Sequence, residues 1–112
     1  MMITPSSTVA GYRITKTLGL VRGNTIRARH VGKDILAGLR NIVGGEVAEY
    51  TKMMAESREQ AIDRMAVEAE ELGADAIVNL RFATSYVMGS ASEILAYGDA
   101  VQLEKEPEVT GF

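Results

Sequence analysis

Apolar and polar positions change period several times along this 112-residue chain, and each change marks an element. From Tyr12 the pattern alternates, with Tyr12, Ile14, Leu18 and Leu20 on one side and Arg13, Thr15 and Thr17 on the other. Period two predicts a half-buried strand. Gly23-Asn24 then has the composition of a turn or bulge. Ile26 and Ala28 resume the alternation against Arg27 and Arg29, either as a second strand or as a continuation of the first. After His30 the spacing becomes helical, and Val31, Ile35, Leu39 and Ile42 predict a short helix over residues 33–43 ended by Gly44-Gly45. A longer stripe follows. Val47, Tyr50, Met54, Ala61 with Ile62, Met65, Ala69 and Leu72 recur every three or four residues and predict one long helix over residues 46–72, stopped by Gly73. Two further strands are expected. The first spans residues 76–88, with Val78, Leu80, Phe82 and Tyr86 on one face. The second spans 93–103, with Leu95, Tyr97, Val101 and Leu103 opposite the small Ala96, Gly98 and Ala100. The composition of residues 89–92 is that of a hairpin turn.

This order predicts one α+β domain over residues 1–112, with residues 1–9 as an extended lead-in and 104–112 as a polar tail. Its core is an antiparallel sheet of three or four strands backed by one long and one short helix. So small a sheet leaves edges unpaired, and unpaired edges are a liability in a monomer. Closing copies edge to edge into a ring removes them, so a homo-oligomer is expected.

Composition narrows the function classes. There is no cysteine, hence no disulfide framework. No apolar run reaches a membrane span, and the first residues lack the basic start and long apolar core of a signal peptide. The expected location is cytoplasmic. The net charge of −3 conceals an asymmetry: residues 1–45 carry seven basic side chains and one acid, whereas residues 46–112 carry five and fourteen. Complementary halves meeting within or between subunits account for this better than a nucleic-acid surface, which would bring aromatic or glycine-rich partners to the basic half.

The stretches GGEVAEY, LGADAIVNLRF and AYGDAV, with Arg58 and Ala61 between them and VRGNTIRARHVGKDILAGLRNIVGGE upstream, resemble the YbjQ-like family of small proteins. The resemblance runs from about residue 3 to 103. It implies a dodecin-like subunit, assembly into a ring, most often a pentamer, and a heavy-metal-binding label without an established activity. The family form expected after Tyr97-Gly98 is threonine, where this chain has Asp99.

The candidate chemistry is sparse. His30 and Asp34, four residues apart, are a pairing suited to a divalent metal ion, and Glu46 or Glu49 offers oxygen ligands to a hard cation. Glu46 and Tyr50 open the long helix, where the glutamate also favours the positive end of the helix dipole. Arg58, Asp75 and Asp99 are candidates for buried or intersubunit ion pairs, and Tyr50 and Tyr97 for the wall of a pocket. Glu46, Tyr50, Arg58, Asp75, Tyr97 and Asp99 are therefore the expected ligand-binding set. No phosphate-cradling glycine motif occurs, and one histidine without a thiol assembles no nucleophilic triad. The expected function is a ring-forming binding module for a small ligand or metal ion at a subunit interface or pore. The alternatives are an enzyme with a carboxylate–tyrosine site and, more weakly, a nucleic-acid or protein-partner scaffold.

Overall fold

The computed structural model describes residues 1–27, 45–87 and 91–107. The short helix expected over residues 33–43 and the turn at 89–92 fall wholly or partly outside them. Four strands and one helix follow in the order β1 (Met2–Ile3), β2 (Tyr12–Arg27), α1 (Gly45–Glu71), β3 (Ala76–Val87) and β4 (Ala91–Lys105). The sheet order is β1-β3-β4-β2. β4 pairs antiparallel with both β2 and β3, whereas β1 runs parallel to β3, with Met2 opposite Ala76 and Ile3 opposite Ile77. The sheet is thus mixed, not purely antiparallel. The start of the expected lead-in is its fourth strand, and β4 continues two residues into the expected tail.

Residues 12–27 form one strand. Gly23-Asn24 makes no turn, and the irregularities lie earlier, at register shifts between Ile14 and Lys16 and between Thr17 and Gly19. Each shift sets two residues of β2 against one of β4, so the period-two pattern breaks twice. Leu18 packs against the helix-side core, Ile14 packs in a second cluster on the other sheet face, and Leu20 is 58% exposed. The four residues read as one face are therefore divided between two, and the deep core position is Val21. A bulge between Val78 and Arg81 does the same to β3: Val78 belongs to the second cluster and Leu80 to the helix side.

The helix takes the small-residue face of the sheet. Ala61, Met65 and Ala69 of α1 are fully buried with Val21, Ile77, Ile94, Ala96 and Ala100. Gly23 lies directly under α1, where an added Cβ would meet backbone atoms of Ala61 and Met65 and come within 2.8 Å of the Arg64 Cβ. Glycine here serves close approach, not a turn. A Schellman motif ends the helix, with Gly73 at φ 78°, its N–H donating to the Glu70 carbonyl (3.0 Å) and the Ala74 N–H to that of Ala69 (3.1 Å). Asp75 then starts the β3–β4 ladder. Its N–H donates to the Val101 carbonyl (2.9 Å) and its carboxylate accepts the Leu103 N–H (2.8 Å).

The product is a long, thin blade of 65 × 31 × 16 Å. Its radius of gyration is 18.6 Å, against about 13 Å for a compact chain of this size. No described helix is long and apolar enough to cross a membrane.

Candidate functional site

The side of the sheet facing away from α1 carries the most concentrated polar chemistry. Along β4, Ile94, Ala96, Gly98 and Ala100 point at the helix, so Glu93, Leu95, Tyr97 and Asp99 point the other way. Residues directly opposite in antiparallel strands share a face. Tyr97 therefore stands between Arg22 of β2 and Arg81 of β3, and Asp99 stands opposite Leu20. One end of this face is closed by the N-terminal segment, whose buried Val9 packs with Ala76, Val78 and Val101. From Asp99 to Glu93 nothing in the described chain covers it. Leu20 and Ile26 are each 58% exposed there.

Asn79 organises the boundary between the closed and open ends. It sits in the β3 bulge at φ 58°, the only described non-glycine residue with positive φ. Asparagine tolerates this left-handed region better than most residues, yet the conformation costs energy and persists only where its surroundings hold it. The Asn79 N–H donates to the Ser6 carbonyl (3.0 Å) and its Nδ2 to the Asp99 carboxylate (2.9 Å). Next to it, the Arg81 Nη1 donates to the carbonyls of Pro5 (3.0 Å) and Leu80 (2.8 Å). Bulge and N-terminal segment are thereby tied to one carboxylate beside Tyr97. At the far end the Glu93 carboxylate spans three strands, accepting from Asn24 Nδ2 (2.9 Å) and Ser85 Oγ (3.3 Å). An open groove of about 400 Å³ runs along the β2 edge here, lined by Arg22, Gly23, Asn24, Glu68, Glu93 and Leu95. Arg22 has no hydrogen-bond or ion-pair partner among the described residues. It is left free to meet a carboxylate or a planar group.

Of the residues expected from sequence whose side chains are described, only Tyr97 and Asp99 come together. Asp75 immediately precedes β3, and its carboxylate completes the strand ladder by accepting the Leu103 N–H. Arg58 is exposed on α1, without an ion pair among the described residues, so the expected buried pairing is not formed there. Glu46 and Tyr50 occupy the first turns of α1, with side chains outside the description, and His30 and Asp34 lie outside the described residues. Sequence reasoning missed Asn79, Arg22 and Arg81. A lone asparagine interrupting the apolar run AIVNLRF was the available signal, because asparagine is enriched at left-handed positions.

The strain at residue 79 is directly testable. Asn79→Val is expected to cost about 1–3 kcal/mol, the usual range for a residue held in a disfavoured backbone region. Asn79→Gly keeps the backbone free and loses only the bond to Asp99, so its denaturation midpoint should fall much less. Equal losses in the two variants would show that the side-chain contact, not the backbone, dominates.

Comparison with known proteins follows this geometry. A family model described as "Putative heavy-metal-binding" matches residues 1–104. The chain is similar to a UPF0145 protein of Methanosarcina acetivorans, 60% identical over 103 residues, covering 92% of this chain and 97% of that protein. A UPF0145 protein of Dehalococcoides mccartyi is 62% identical over 104 residues, covering 93% of this chain and all of its own length. One from Thermococcus kodakarensis is 57% identical over 106 residues, covering 95% and 94%. Among solved structures, a protein of unknown function from Pediococcus pentosaceus matches with a TM-score of 0.60 at 19% identity, covering 93% of this chain and 98% of that one. That likeness concerns the fold alone.

Proposed function

We propose that this chain, which belongs to the YbjQ family, is a self-assembling binding module that holds a small ligand on the open sheet face at a contact between subunits. The observation that carries the reading is the blade shape with both sheet edges unpaired, among the described residues, over most of their length. Among the described residues β2 has no neighbour on its outer side. On β3, β1 and the residues after it reach only to Leu80, leaving residues 81–87 open. Each free edge offers a row of backbone donors and acceptors that pair readily with another strand. Joining the β2 edge of one copy to the β3 edge of the next would hide both rows and close a ring, a pentamer being the size that the family resemblance implies. Assembly would also place the β2-edge groove, and Arg22 in it, next to a neighbouring subunit. The lack of cysteine suits a cytoplasmic setting, the location we assign.

A carboxylate–tyrosine enzyme is the second reading. It draws on Tyr97 and Asp99 sharing one face beside the strained Asn79, while the Asp75 carboxylate is engaged in the strand ladder.

Native mass spectrometry and sedimentation of untagged protein test the first reading. A closed homo-oligomer is expected. The double variant Ala83→Lys with Ser85→Lys puts two charges on the open β3 edge, both pointing away from α1, and is expected to shift the protein to monomer while its circular dichroism stays native. A wild-type protein that stays monomeric at tens of micromolar would refute the assembly.

A further inference from the structure

We infer that this chain does not hold a heavy-metal ion through its own side chains, so that the description carried by its family does not extend to it. Soft metals are selected by thiolate and thioether sulfur and by clustered imidazole. Structural sites for such ions use four ligands, most often cysteine and histidine. The whole sequence contains no cysteine and a single histidine. His30 with Asp34 supplies two donors at most, one of them a hard carboxylate. Among the described residues no three His, Cys, Asp or Glu side chains are grouped to hold an ion. The described strand carboxylates are also engaged: Asp75 by the Leu103 N–H, Asp99 by Asn79, Glu93 by Asn24 and Ser85, and Glu104 by Arg13.

Of the six methionines, the three on α1 do not replace the missing thiols. Met65 is fully buried in the alanine-rich core under α1. Met53 and Met54 are adjacent on a helix, so their side chains leave it about 100° apart and cannot close on one ion. The remaining route is symmetry, in which copies of one histidine meet around an axis. The inference goes beyond the assembly reading and narrows it: the ligand at a subunit contact is something other than a soft metal.

The experiment loads untagged protein separately with Cd²⁺, Zn²⁺ and Cu⁺ in a non-chelating buffer and then desalts it. Retained metal is counted by native mass spectrometry and elemental analysis, and Tm is compared with and without metal. No stoichiometric retention and no rise in Tm are expected. One ion held per chain, or one per oligomer, with a Tm rise from preferential binding to the folded state, would overturn the inference. Loading His30→Ala in parallel identifies the donor in that event: metal lost in the variant overturns the inference through an imidazole site, and metal kept overturns it through oxygen or thioether donors. The same spectra report the oligomeric state. A metal-free monomer would therefore defeat the assembly reading and leave this one standing.

Discussion

Gly23→Val is expected to destabilise the protein by about 3 kcal/mol, the upper part of the range for overpacking a filled core. Two of the three atoms closest to the added carbon belong to the backbone of α1, at Ala61 and Met65, and the third is the Arg64 Cβ. A side-chain obstacle could rotate away. A helix backbone can yield only by lifting the helix, which would also loosen Met65 and Ala69 from Val21 and Ala100. The fall in Tm should exceed about 10 °C for a domain of this size, measured at fixed protein concentration because self-association would make Tm concentration-dependent. Arg64→Ala should not rescue the variant, since alanine keeps the Cβ and leaves both backbone obstacles in place. Recovery in that double variant would show that the approach of α1 is set by the arginine and not by the glycine.

The second large effect is expected at Met65, the largest fully buried side chain, which lies centrally in the helix–sheet core. Met65→Ala removes buried apolar volume and leaves a cavity, and such truncations cost about 2–5 kcal/mol. Met65→Leu nearly conserves volume and should cost less than about 1.5 kcal/mol. Chemical denaturation with an unchanged m value would attribute the loss to stability alone. A small loss for the alanine variant would mean that the surrounding alanines collapse into the space, and that the core is softer than its burial suggests. Gly23 and Met65 lie close enough to couple, so their combined effect should depart from the sum.

These predictions mark where sequence reading succeeded and where it stopped. The long helix and its glycine stop were legible because a three-to-four-residue stripe and a C-terminal glycine are local signals, each created within a few residues of chain. The last two strands were legible for the same reason. The alternation along β4 survives intact, and its small-residue side is the one that the helix covers. The face assignments of β2 and β3 were not legible. Three register shifts divide those strands, and a bulge reflects the fit between two strands rather than a pattern in one. Gly23 shows the limit most clearly. A glycine followed by asparagine has the composition of a turn, and only a helix lying across the strand gives it a different purpose.

The candidate site divides in the same way. Tyr97 and Asp99 could be paired from sequence because period two places them on one side of one strand. Arg22 and Arg81 reach them only through pairings that span 75 and 16 residues of chain. Asp75 was a candidate for an ion pair, but its carboxylate proves to be a backbone partner of Leu103. Sequence by itself determined the long helix, the last two strands, the α+β class and the poverty of soft-metal donors, which follow from local periodicity or from composition, while its motifs carried the family resemblance. The tertiary structure alone decided the parallel pairing of the N-terminal residues, the sheet face that the helix covers and the left-handed Asn79. These depend on which distant segments meet and in what register, and hydrogen-bond pairing and close packing settle that only once the whole chain is assembled.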